Sequence, residues 1–228
     1  MMRTTMGIVR RQAELCGFEL PEKGRVRKRQ IERFLPPTPH VVEAGAHIGI
    51  DTASMARRWR HGRIYAFEPV PALYRQLLTR VRRFGNVSTY QLALAGTSGE
   101  LSMNVSSGGS DGSSSLLRPQ EHLRFHPNVT FDDVITVQAT TLDEWASAHS
   151  VKPDLLWLDA QGAELQILRS GTSVLESVAA IYTEVSLVQN YSDGPLYPEL
   201  ASWLSRFGFK PVIERIAWTD GGNVLFSR

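Results

Sequence analysis

The chain has 228 residues, 42% hydrophobic and 21% charged. That is the balance of a soluble globular domain, long enough to bury a substantial core without staples. Its single cysteine, Cys16, excludes an internal disulfide and any cysteine-built metal site, and reads as a small apolar contact on an N-terminal helix. No apolar run approaches the roughly 20 residues needed to span a bilayer. The N-terminus lacks the apolar core and small-residue cleavage site of a secretory signal, so the cytoplasm is the expected location.

The net charge of +2 is uneven. Residues 1–35 hold nine Lys or Arg against four Glu, a local +5 that leaves −3 for the rest. One reading is a contact to phosphate on nucleic acid or a lipid headgroup. The other is a solvated helix face or an arm docked on the core, which is the usual fate of charge runs without interleaved aromatics. The segment reads as one or two helices broken near Pro21 and Gly24. Pro36-Pro37-Thr38-Pro39 ends it, because proline cannot continue a helix. The expected organisation is a basic helical extension over 1–37 and one domain over 38–228.

Within that domain, Val41 to Ala44 reads as a strand, 51–59 as a helix and 63–67 as a second strand. Residues 71–83 carry Leu73, Leu77 and Val81 on one helical face, with Pro71 suited to the first turn. Residues 87–94 read as a third strand and 100–105 as a further one. The Ser/Gly run over 106–115 and the polar stretch to Asn128 form a connection long enough to suggest a lid or binding loop. Residues 134–138 form a short strand, and Thr141-Leu142-Asp143-Glu144 reads as a capping box. A continuous apolar strand over 154–158 points to a sheet covered on both faces. A helix over 163–169, a strand over 178–185, a helix over 196–207 closed by Gly208, and strands over 211–218 and 223–227 complete the chain. Strands alternating with helices give an α/β fold: a mostly parallel, doubly wound sheet with an antiparallel last strand.

Chemistry concentrates at Glu43-Ala44-Gly45-Ala46-His47-Ile48-Gly49 and at Glu68. Gly45 and Gly49 can take positive φ or admit a close backbone approach. Glu68 follows Gly49 by 19 residues, the distance at which an acid meets ribose hydroxyls in nucleotide-binding βαβ units. The turn reads G-x-x-x-G. The absent middle glycine argues against a bound pyrophosphate, and so against NAD or FAD. A ligand with a ribose and no pyrophosphate, such as S-adenosylmethionine, fits better.

This stretch resembles the glycine-bearing motif and following acid of the FkbM family of S-adenosylmethionine-dependent methyltransferases. Ala93-Leu94, Thr141-Leu142-Asp143, the run Leu158-Asp159-Ala160-Gln161-Gly162-Ala163-Glu164, Tyr182-Thr183-Glu184 and Gly221-Gly222-Asn223 extend the resemblance, as does Ser114-Ser115-Leu116 in the loop after the third strand. It covers roughly residues 38–228. It implies a Rossmann-like seven-stranded methyltransferase sheet and methyl transfer to a hydroxyl of a sugar, glycolipid or polyketide-like molecule. The family often has Asn where His47 stands and Glu where Gln161 stands.

The expected cofactor cradle is Glu43, Gly45, Ala46, Gly49, Thr52, Glu68, Ala93, Leu94 and Asp159, with Ala93 and Leu94 bordering an adenine. Thr52 either caps its helix or touches the cofactor's carboxylate. A base must take the hydroxyl proton, and the candidates are Asp159, Glu184, Glu164 and His47. His122 and His126 are spaced as two metal ligands on a helix would be, but no third ligand is evident. No metal is expected, although an Asp159/Glu184 site for Mg²⁺ stays open. A nucleic-acid methyltransferase, a nicotinamide dehydrogenase and a non-catalytic domain on the same fold are the competing readings. A small-molecule or glycan acceptor is the expected partner; a homo-oligomer stays open.

Overall fold

The computed structural model describes residues 24–228. Cys16 and most of the expected basic extension lie outside the described residues. Strands carry β labels and α-helices α labels in chain order. A short helix α1 (Lys28–Ile31) leads into a 3-10 turn (Glu32–Phe34). The domain then runs through β1 (His40–Ala44), α2 (Ile50–Arg58), β2 (Arg63–Phe67), α3 (Pro71–Val81), β3 (Val87–Tyr90) and β4 (Ala93–Leu94). It continues with β5 (Gly99–Gly108), α4 (His122–Phe125), β6 (Val129–Thr140), α5 (Leu142–His149), β7 (Leu155–Leu158) and α6 (Glu164–Arg169). The chain closes with β8 (Ala180–Ser186), α7 (Tyr197–Ser205), β9 (Lys210–Ile216) and β10 (Gly221–Ser227).

Seven strands form one sheet in the order β3-β2-β1-β7-β8-β10-β9. The pairs β1–β2, β2–β3, β1–β7 and β7–β8 are parallel, whereas β10 is antiparallel to both neighbours, β8 and β9. The expected Rossmann-like sheet with an antiparallel last strand is therefore present. The chain leaves β1 towards β2 and leaves β7 towards β8, in opposite directions. That places a topological switch point between β1 and β7, where open α/β sheets bind ligands beyond the strands' C-terminal ends.

Both faces are covered. On one, Trp145, Leu165, Leu168 and Leu204 pack against Phe67, Leu156 and Phe226. On the other, Met55 and Trp59 pack against Val41, Leu155 and Leu225, and Val26 and Ile31 of the N-terminal segment join them. Asn223 Nδ2 also donates to the Gly24 carbonyl at 2.9 Å. Residues 24–31 thus dock on the sheet.

Three elements depart from the sequence expectation. The strand expected over 87–94 is split: Val87–Tyr90 pairs with β2, whereas Ala93–Leu94 turns into a second, three-stranded sheet ordered β4-β6-β5. The strand expected over 134–138 extends to Val129–Thr140 because it pairs along β5 in a long hairpin. The Ser/Gly run is tied down: Ser115 and Asn104 exchange backbone hydrogen bonds at 3.0 and 2.8 Å, and Ser113 N donates to Ser106 Oγ at 2.9 Å. At α5, Thr141 Oγ1 accepts from Glu144 N as a capping residue should. The Glu144 carboxylate accepts from Ser98, whose Oγ in turn accepts from Thr141 N at 3.1 Å. Among the described residues no helix is long and apolar enough to cross a membrane.

Candidate functional site

The C-terminal ends of β1, β2 and β7 open into a cavity of ≈370 Å³. The turn after β1 forms its floor. Gly45 N and Ala46 N donate to the Phe67 carbonyl at 3.1 and 2.9 Å, and Asp159 N donates to the Ala44 carbonyl at 3.0 Å. These bonds clamp the turn between β2 and β7. Gly45 has φ +82°, and a Cβ there would lie 1.9 Å from the Asp159 carbonyl oxygen. The close approach that requires this glycine comes from the protein's own backbone. Gly49 has φ +80°, and its Cβ would meet Leu77 of α3 at 2.6 Å. Gly49 packs two helices together and does not line the cavity.

Glu68 ends β2 and is 4% exposed. Its Oε2 accepts from His47 N and its Oε1 from Val70 N, both at 2.8 Å. Each oxygen keeps acceptor capacity. Burial pushes this carboxyl up to about 7, against the two backbone hydrogen bonds. Glu43, at 1% exposure, is pushed up to about 8 by burial, against the hydrogen bond from Thr52 Oγ1 at 2.6 Å. Glu43 lines the cavity; Thr52 is fully buried behind it. Thr52 therefore orients Glu43, and the helix cap is Gly49.

Ala46, His47, Ala93, Leu94 and Asp159 also line the cavity. His47 sits at φ +51°, and its Nε2 lies 2.9 Å from Asp111 Oδ1 in the Ser/Gly loop. Asp111, Gly112, Ser114 and Leu116 close the cavity from that side.

Asp159, Glu164 and Glu184 surround Gln161, which has φ +51°. Gln161 Nε2 donates to Asp159 Oδ1 at 2.9 Å and to Glu184 Oε2 at 2.7 Å. Tyr191 donates to Gln161 Oε1 at 2.9 Å. The amide thus bridges the two carboxyl groups. Burial, and then the charges of Asp159 and Glu164, hold the Glu184 carboxyl well above the usual range. Glu164 is pushed up to about 7 by burial, and its Oε1 accepts from Ala160 N and Gly162 N at 2.9 and 3.3 Å, which locks the turn after β7. Glu164 and Glu184 face a second cavity of ≈270 Å³, not the first. Gln161 lines both.

Sequence reasoning missed the far end of the first cavity. Arg25, Ile50, Asp51 and Trp157 meet there. Asp51 is bonded to Lys28 Nζ at 2.7 Å and to Arg25 at 2.9 Å. Burial opposes its charge, but the two cations outweigh burial and hold the carboxyl well below the usual range. Lys28 Nζ also lies 4.8 Å from the Trp157 ring centroid. The basic arm was legible in the sequence, but no spacing rule ties Arg25 to the start of α2. His122 and His126 have adjacent rings, 4.7 Å apart. Among the described residues no group of three or more His, Cys, Asp or Glu could hold a metal ion.

The site suits a nucleoside with a charged amino-acid tail. Glu68 offers ribose hydroxyls a carboxylate whose position two backbone N–H groups fix. Phe67, Leu92 and Leu94 supply apolar wall, and the Glu43 carboxyl and the Arg25 guanidinium line the same cavity.

Comparisons with known proteins agree with this geometry. The chain is 28% identical over 188 residues to 2-O-methyltransferase NoeI of Sinorhizobium fredii, covering 79% of this chain and 75% of that protein. It is 26% identical over 208 residues to methyltransferase sdnD of Sordaria araneosa, covering 81% and 78%. The solved FkbM methyltransferase of Methylobacillus flagellatus KT has the same fold, with a TM-score of 0.58 at 13% identity over 84% of this chain; the chain spans 44% of that one. Aeropyrum pernix fibrillarin, solved with natively bound S-adenosyl-L-methionine, has a TM-score of 0.51 at 15% identity, covering 90% and 70%. The family model for the methyltransferase FkbM domain matches residues 43–211, and the chain belongs to that methyltransferase family.

Proposed function

We propose that the protein transfers a methyl group from S-adenosylmethionine to a hydroxyl oxygen of a small molecule or glycan. The observation that carries this reading is Glu68: a buried acid at the end of β2, oriented by two backbone N–H groups, in a cavity at the switch point of a methyltransferase sheet. The relative named a 2-O-methyltransferase supports oxygen as the acceptor atom. When bound, the cofactor supplies a methyl group already activated by a positively charged sulfur.

The chain's own residues do the rest. Glu68 accepts hydrogen bonds from the ribose hydroxyls, and Ala93 and Leu94 border the adenine. Glu43 meets the cofactor's ammonium, whose charge restores the ionised carboxylate that burial disfavours. Arg25 meets its carboxylate. Asp159 lines the first cavity and is bonded to the Gln161 side chain that separates it from the second. From there it takes the acceptor's hydroxyl proton, with Glu184 on the other side of the bridging Gln161 amide. His47 and Glu164 hold the site's loops in this scheme, through Asp111 and through the turn after β7.

A nucleic-acid acceptor is the weaker reading, since Lys28 of the basic arm is buried and held by Asp51. The test is calorimetric titration with S-adenosylmethionine, with NAD⁺ as control. Saturable binding of the first alone is expected; binding of NAD⁺ instead would overturn the cofactor assignment.

A further inference from the structure

Residues 24–31 precede the stretch 43–211 that the family model matches, yet they reach the first cavity. Val26 and Ile31, 2% and 0% exposed, hold the segment on the sheet, together with the bond from Asn223 Nδ2 to the Gly24 carbonyl. None of these anchoring residues lines the cavity, whereas Arg25 does.

Lys28 stands one layer behind that wall. It is buried and does not line the cavity, but it touches two residues that do, Asp51 and Trp157. Its Nζ donates to Asp51 Oδ1 at 2.7 Å and lies 4.8 Å from the Trp157 ring centroid. Trp157 is itself stacked on Tyr182, with ring centroids 3.9 Å apart. The ammonium is therefore fixed from two sides. Asp51 Oδ2 accepts from Arg25 Nη1 at 2.9 Å. One carboxylate thus meets two cations, with one oxygen towards each.

That division has a consequence for Arg25. A guanidinium tends to grip both oxygens of a carboxylate through two parallel N–H bonds. With Oδ1 taken by Lys28, Asp51 offers Arg25 one oxygen, and the guanidinium stays at the cavity wall. Without Lys28, Asp51 can turn both oxygens to Arg25 and draw it away from a ligand.

We propose that Lys28 is a positioning residue for the cofactor: by holding Asp51 Oδ1 it keeps Arg25 aimed at the amino-acid carboxylate of S-adenosylmethionine. Bound cofactor in turn holds residues 24–31 on the sheet, because a coupling between two binding events is reciprocal. This rests on the methyltransferase reading above. It adds that the site for the cofactor's tail is completed from outside the family-matched stretch.

The test is calorimetry with S-adenosylmethionine and with 5′-methylthioadenosine, on the wild type, Lys28→Met, Arg25→Ala and the double variant. Lys28→Met keeps the apolar stem and removes the charge. It weakens S-adenosylmethionine fivefold or more and leaves 5′-methylthioadenosine within twofold. The double variant stays within twofold of Arg25→Ala for S-adenosylmethionine, since Lys28 acts through Arg25. Hydrogen exchange on the wild type supplies a second reading: S-adenosylmethionine slows exchange of the amides over 24–31 at least fivefold, and 5′-methylthioadenosine does not. Equal losses for the two ligands, which a purely structural Lys28 would give, would overturn the proposal. So would losses that multiply in the double variant, or equal protection by both ligands. The exchange measurement needs no variant and decides the matter if Lys28→Met fails to fold. A wild type that binds neither ligand sinks the cofactor reading and this proposal with it; one that binds both without the Lys28 effects sinks this proposal alone.

Discussion

Replacing Glu68 by Gln tests the cofactor cradle with the least change in shape. The carboxylate accepts one backbone N–H on each oxygen, from His47 and Val70 at 2.8 Å. A glutamine amide keeps one acceptor oxygen. Its NH₂ group must then face one of those N–H donors, leaving a buried donor unpaired at a cost of about 1–3 kcal/mol. Two ribose hydroxyls that bonded an ionised group now bond a neutral one, losing roughly 1 to 1.5 kcal/mol each. Binding therefore weakens by about 2–3 kcal/mol, or roughly 30- to 150-fold. Calorimetry gives the affinity, and a urea melt gives the stability change on the same samples. Wild-type affinity also improves as pH rises through about 7, where Glu68 ionises, whereas the variant loses that part of the pH dependence. An unchanged affinity in a folded Glu68→Gln protein would refute the cradle as assigned.

Three more predictions follow from the same geometry. Arg25→Ala weakens S-adenosylmethionine by about 10-fold or more, the worth of a hydrogen bond to a charged group, yet leaves 5′-methylthioadenosine, which lacks the amino-acid end, within twofold; equal losses for both ligands would exclude a contact to the carboxylate. Gly45→Ala drives a Cβ into the Asp159 carbonyl at φ +82° and costs about 2–4 kcal/mol; a urea-melt loss below about 1 kcal/mol would show that the turn adapts. The cofactor-free protein loses thermal stability between pH 6.5 and 8. Over that window the native state retains protons on Glu43, Glu68 and Glu164 that the unfolded chain has shed near 4.5, so stability falls as pH rises. His122 is held down to about 4 by burial and then by His126, and adds an opposite slope only below 6.5. A melting temperature that rises from pH 6.5 to 8 would contradict the buried-acid arrangement.

The order of strands and helices was legible in the sequence because it rests on local pattern. The β1–turn–α2–β2 unit is contiguous, so the spacing from Gly49 to Glu68 carries its geometry along the chain. The apolar run at β7 announces a strand buried on both faces. Most helix ends fell within two residues of the reading, since prolines and glycines mark them. The alternation along β6 is interrupted at Asp132-Asp133, and the sequence reading therefore stopped at 134; the partner strand β5 supplies the ladder that carries β6 back to Val129. Nor does any periodicity distinguish a strand that stays in the main sheet from one that leaves it after Tyr90.

Tertiary structure alone decided how the acids are used. Thr52 bonds Glu43 and not the cofactor's expected position, and Gly49 serves Leu77. Glu164 spends its carboxylate on the turn after β7, while Gln161 divides one cavity from another. Arg25 reaches Asp51 across 26 residues, and His126 reaches Asp220 across 94. The physical reason is the same throughout. Hydrophobic period and turn chemistry specify which face of an element is buried and where it stops. Which side chains meet at the sheet's end depends on how twisted strands and their helices dock, and that is set by packing among residues distant in the chain.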